Sequence, residues 1–154
     1  MLRLHLLRHA KTEQFSPTGK DFDRYLMKKG LRQREDLKQF FKTIPDIEHV
    51  WCSSAKRTRE TLEVLEGLPA PTFHDDLYLC SDKTMLKMLW ESNADGEILI
   101  VGHNFGISDL VNYFCDSDIE LRTGQYACIS FDCDNWSETF RGTGTIDRLY
   151  RPEV

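Results

Sequence analysis

Leu2-Arg3-Leu4-His5-Leu6-Leu7-Arg8-His9-Ala10-Lys11-Thr12-Glu13 changes character in the middle, and that change sets the reading of the whole chain. Leu2 to Leu7 is a short apolar run of strand length, and the charged segment from Arg8 to Glu13 is the loop at its C-terminal end. A second run, Ile98-Leu99-Ile100-Val101 within Glu97 to Val101, is continuously apolar. Such runs mark central parallel strands covered on both faces. Gly102-His103-Asn104 follows it, then a helix from about Phe105 to Phe114.

Between these two runs the pattern alternates. Gln14 to Arg24, with Pro17 and Gly19, reads as irregular surface chain. From about Lys28 to Ile44, Leu37, Phe40, Phe41 and Ile44 recur at helical spacing until Pro45 stops them. Val50-Trp51-Cys52 is a brief strand, and Ser53 or Ser54 can cap a helix carrying Arg57, Thr61, Leu62 and Leu65. A further helix from Ser81 to Ser92 turns Met85, Leu86, Met88 and Leu89 inward. Ala127 to Asp132 and Thr145 to Tyr150 read as strands around an Asp134-Asn135-Trp136 turn, and Gly142-Thr143-Gly144 as another turn. Strands alternating with helices predict one α/β domain over residues 1–154, three layers deep, with a mainly parallel central sheet flanked by helices.

The 154 residues suit one compact domain, and 40% hydrophobic with 29% charged residues is an ordinary globular mixture. A formal net charge of -5 argues against a nucleic acid partner. No apolar run approaches the ~20 residues of a membrane span, and the N-terminal run is too short for a signal peptide, so the expected location is cytoplasmic. Cys52, Cys80, Cys115, Cys128 and Cys133 are odd in number and contain no C-x-x-C pair. They predict reduced, mostly buried thiols rather than disulfides or a zinc knuckle.

In a parallel sheet the ligand sits beyond the C-terminal strand ends. Three strands enter polar loops at that edge: Arg8-His9, Ser53 to Arg57, and Gly102-His103. Together they supply two histidines and two arginines, with Lys11 nearby. Arginine presents a planar fork of donors that matches phosphate oxygens at any working pH. A neutral imidazole can attack phosphorus and divide one difficult displacement into two easier ones. The set therefore suits phosphoryl chemistry. His5, His49 and His74 lack such company and read as structural, and His74-Asp75-Asp76 has no partner at a convincing metal-ligand spacing, so no metal or other cofactor is expected. A cysteine phosphatase needs C-x-x-x-x-x-R, but from Cys52 that place is Thr58, and the other cysteines also lack the arginine. There is no G-x-x-x-x-G-K-[ST] loop.

Leu7-Arg8-His9-Ala10-Lys11-Thr12 resembles the Arg-His-Gly signature of the histidine phosphatase (phosphoglycerate mutase-like) superfamily, with Ala10 in place of the common glycine. Ser53 to Thr61 is similar to the second motif of that family, and Val101-Gly102-His103-Asn104 to the third. The resemblance implies a phosphoglycerate mutase-like fold, His9 as the nucleophile, Arg8 and Arg57 as phosphate clamps, and His103 as a hydrogen-bonding partner of the transferring group. Lys11 is a further phosphate contact on this reading. Phe73-His74-Asp75-Asp76-Leu77-Tyr78 offers Asp76 as the closest match to the general acid, with Asp75 and Glu13 as the other candidates. Asn104 stands where the acid-phosphatase branch has an acid, which disfavours that branch. The short chain and the Gly-His-Asn run most resemble SixA-type phosphohistidine phosphatases. The implied activity is metal-independent hydrolysis of a phosphorylated protein or a small phosphorylated substrate. A mutase-like phosphotransferase and a non-catalytic phosphate-binding module are the alternatives.

Overall fold

The computed structural model describes residues 1–154. Six strands form one sheet: β1 (Leu2–Arg8), β2 (Ile47–Ser53), β3 (Thr72–His74), β4 (Glu97–Gly102), β5 (Tyr126–Phe131) and β6 (Gly144–Tyr150). Their order is β3-β2-β4-β1-β5-β6. The pairings β3·β2, β2·β4 and β4·β1 are parallel, and β5 runs antiparallel to both β1 and β6. The four longer helices are α1 (Lys28–Phe41), α2 (Lys56–Glu63), α3 (Asp82–Glu91) and α4 (Gly106–Cys115).

Strand alternation explains the three layers. Leu4, Leu6, Ile98, Ile100, Ala127 and Ile129 point to one face, where Leu86 and Leu89 of α3 and Leu110 and Phe114 of α4 cover them. Leu7, Leu99, Val101 and Tyr126 point to the other, under Leu37, Phe40 and Phe41 of α1 and Leu62 of α2. The apolar runs of β1 and β4 are continuous because both faces of these central strands are buried. The parallel register aligns Arg8 with Gly102 and Cys52 with Val101. The C-terminal ends of β1, β4 and β2 are thus neighbours, which brings the three polar loops to one edge.

Several local expectations are corrected. Helix α1 stops at Phe41, a turn before Ile44, because the backbone N–H of Lys42 bonds back to Gln39 and the Thr43 hydroxyl bonds to the Phe40 carbonyl. Neither Ser53 nor Ser54 caps α2; its N-cap is Ala55, without a side-chain bond. The link between β5 and β6 is no tight turn. It includes the short helical turn Trp136–Glu138, whose Trp136 is buried beside Phe131 and donates its indole N–H to the Gly96 carbonyl. All five cysteines are free, but only Cys52 and Cys128 are buried. Strand β3 falls where no strand was expected. No helix of the chain is long and apolar enough to cross a membrane.

Candidate active site

His9 lies just beyond β1, held by backbone bonds on both sides. Its N–H donates to the Gly102 carbonyl at 3.1 Å, and its carbonyl accepts from Gly124 at 2.8 Å. The next residue, Ala10, is fully buried and donates its N–H to Thr61 Oγ1 at 2.9 Å, while Thr61 Oγ1 donates to the Arg57 carbonyl. Ala10 does not have a positive φ, so alanine serves here where only a left-handed residue would require glycine. Thr61 ties the loop after β1 to the helix that carries Arg57.

The His9 ring is 8% exposed, and its Nδ1 stands 2.7 Å from the Ala10 carbonyl. A carbonyl only accepts, so Nδ1 carries the proton and Nε2 keeps a free lone pair. Burial, with added repulsion from His103, Arg57 and Arg8, pushes the imidazole down to about 3, against the pull of the Ala10 carbonyl. His9 is therefore neutral at ordinary pH.

His103 packs beside His9, 5.4 Å between ring centroids, and is 3% exposed. Burial, Arg57 and Arg8 push it to about 3, with Asp21 opposing them. Its Nε2 is 2.8 Å from Ser53 Oγ, and its buried Nδ1 has no partner. Ser53 is wholly buried, and its oxygen also accepts the Ala55 N–H at 3.3 Å. Its hydrogen has only His103 Nε2 to go to, so satisfying that hydroxyl places the imidazole proton on Nδ1. His103 thus holds out a free N–H donor. Ser53, first read as a possible cap, sets this tautomer.

Arg57 is 3% exposed, with the Asp21 carboxylate at 2.9 Å from one terminal nitrogen and the Asp21 carbonyl at 2.9 Å from the other. Burial works against the charge of Asp21, but hydrogen bonds from Tyr78, Arg57 and Arg24 hold its carboxyl well below the usual range. The Tyr78 ring in turn packs edge-on against His103 at 5.5 Å. Arg8 donates one terminal N–H to the Leu121 carbonyl at 2.9 Å, whereas its buried Nε is unpartnered. Arg59 points elsewhere, over the Phe73 ring at 4.1 Å.

A cleft of about 660 Å³ joins these parts, lined by Arg8, His9, Lys11, Glu13, Asp21 and Arg57 among others. Asp76 is exposed and absent from that lining, as is Asp75; of their segment only Leu79 reaches it. Glu13 is therefore the candidate acid that the fold brings to the cleft. Asp21 was missed, because its pairing with Arg57 spans 36 residues and follows no local period. No group of three or more His, Cys, Asp and Glu gathers in a way that could hold a metal ion.

Residues 4–77 match the model of the histidine phosphatase superfamily (branch 1). An uncharacterised Mycobacterium leprae protein, ML1117, is 35% identical over 108 residues, and the match covers 66% of each chain. Among solved structures, a candidate phosphohistidine phosphatase SixA from Nakamurella multipartitia superposes with a TM-score of 0.87 at 23% identity, covering 99% of this chain and 97% of that one. The protein histidine phosphatase SixA complexed with tungstate gives a TM-score of 0.74 at 19% identity, covering 97% of each. The matched segment contains the first two motif loops, and the fold sets the third beside them: the chain belongs to the histidine phosphatase superfamily.

Proposed function

We propose that the protein is a metal-independent phosphatase in which His9 Nε2 takes the phosphoryl group and water then releases it. One observation carries this reading: the Ala10 carbonyl fixes the His9 proton on Nδ1 and leaves Nε2 free, in a cleft that Arg8 and Arg57 line. In the first step the phosphorus–oxygen or phosphorus–nitrogen bond to the leaving group breaks as the bond to Nε2 forms. Arg8, Arg57 and the Nδ1–H of His103 would carry the charge on the equatorial oxygens, and Lys11 adds a cation at the rim. In the second step water attacks phosphorus, His9 leaves, and inorganic phosphate is the product. The unpartnered Arg8 Nε and His103 Nδ1 are the groups a bound oxyanion would satisfy.

The favoured substrate is a protein-borne phosphohistidine. Phe15 and Leu79 on the cleft wall, and Phe105 beside Asn104, are 81%, 53% and 67% exposed, an apolar rim that a protein surface would cover. Asp76 stands outside the lining, so protonation of the leaving group rests on Glu13 or on water. That arrangement suits leaving groups that depart readily, such as imidazole or an aryl oxide.

Turnover of an aryl phosphate and of a phosphohistidine-bearing protein, each with excess chelator, tests the proposal. We expect both to be hydrolysed, with the protein substrate at higher kcat/KM. Turnover of neither would favour a phosphate-binding module. Strong preference for a phosphoglycerate would favour a mutase.

A further inference from the structure

A second recess of about 320 Å³ adjoins the cleft, and Arg8, Lys11 and Thr123 line both. Lys29, Arg122 and Arg151 also line the second recess, with Gln33, Pro152 and Val154, so five of its nine lining side chains are cationic and none is Asp or Glu. The chain as a whole has 25 acidic and 20 basic side chains. Against that excess of acid, a wall of one sign is a local arrangement. None of the five forms an ion pair, so no carboxylate of the chain neutralises the recess at contact distance. Glu120 favours the charge on Arg8, but from outside that lining. Arg8 Nε is buried with no hydrogen-bond partner.

The recess is braced against the nucleophile loop. Gln33, 5% exposed, accepts from the Lys11 N–H at 2.8 Å and donates to the Thr123 carbonyl at 3.2 Å. Gly124, at φ +72°, lies over Gln33, and its N–H bonds to the His9 carbonyl at 2.8 Å. The two walls are therefore fixed to each other and to His9. Unpaired cations gathered on these walls repel one another, and a bound anion relieves that repulsion.

We propose that this recess is a second anion subsite: the substrate carries, close to the phosphoryl group taken by His9, a second anionic group, phosphate or carboxylate. The proposal rests on the reading of the cleft as a phosphoryl-transfer site. Arg8 and Lys11, on both walls, would link the two charges.

Calorimetric titration with orthophosphate and with tripolyphosphate, without divalent metal, tests it on the wild type and on the Arg122→Gln/Arg151→Gln variant. We expect the wild type to bind tripolyphosphate roughly tenfold or more tightly than orthophosphate, through added charge-assisted contacts. The variant should lose that advantage and keep both orthophosphate binding and aryl phosphate turnover. Two substrates then locate the source of the second charge: an alkyl bisphosphate and a phosphohistidine peptide with acidic flanking residues. The one whose kcat/KM falls in the variant carries it. Equal affinity for the two phosphates in the wild type, a preference that survives in the variant, or an unchanged kcat/KM for both substrates would overturn the proposal. Failure of aryl phosphate turnover with the tripolyphosphate preference intact would instead sink the catalytic reading and leave the subsite standing.

Discussion

Lowering the pH from 7.5 to 5.5 should destabilise this protein through His9, by an amount the burial of that ring sets. In the unfolded chain a histidine titrates near 6.5, while in the fold His9 is pushed down to about 3. Below pH 6.5 the unfolded state binds a proton that the folded state refuses, so stability is full above that value and is lost as the pH falls. At pH 5.5 the loss from this group is about 1.4 kcal/mol, and it grows by about 1.4 kcal/mol per further pH unit until His9 itself protonates near pH 3. His103 and the buried His5 contribute in the same direction. Comparison with His9→Gln isolates the one ring, since the other groups remain. Urea titrations of both proteins at the two pH values should show the wild type losing about 1.4 kcal/mol more than the variant. Equal losses would mean that His9 titrates normally in the fold. The neutral imidazole on which the mechanism depends would then be protonated in much of the protein at mildly acidic pH.

Ser53→Ala should lower aryl phosphate kcat/KM by about 10-fold to 100-fold with little change in circular dichroism, because His103 loses the hydroxyl that keeps its proton on Nδ1; an unchanged kcat/KM would remove Ser53 from the site. Arg57→Ala should cost at least about 100-fold, and Arg59→Ala less than about threefold, since Arg59 stacks on Phe73 outside the cleft; equal losses would contradict the placement of Arg57. Gly30→Ala should destabilise by about 1 to 3 kcal/mol in urea unfolding, although alanine favours helices, because its Cβ would sit 2.0 Å from the Lys11 carbonyl oxygen. A stabilised variant would show that the Lys11 loop yields freely.

The parallel core was legible because β1 and β4 are buried on both faces and so carry unbroken apolar runs. Their neighbours in space then followed from the loops they feed. Strand β3 was not legible: Thr72 and Phe73 are exposed, and three residues at a sheet edge carry no periodic signal. Trp136 looked like part of a turn because its burial under Phe131 and the Gly96 carbonyl is a tertiary fact. In the site, His9, Arg57 and His103 could be found from strand-end position and motif spacing. Asp21 could not, since the stretch around it has the polar composition of surface chain and only the fold lays it on Arg57. For the general acid, the family resemblance offered Asp76, with Asp75 and Glu13 as the other candidates; of the three, only Glu13 lines the cleft, and Leu79 is the one residue near Asp76 that reaches it.

The central claim is that His9 Nε2 accepts the phosphoryl group, and a rapid acid quench with a ³²P-labelled aryl phosphate tests it most directly. The account predicts a phosphoenzyme that is stable in base, labile in acid, mapped to the peptide containing His9, and absent from His9→Ala, which should still bind orthophosphate through Arg8, Arg57 and His103. An acid-stable adduct on a serine or threonine, or label retained by His9→Ala, would contradict it.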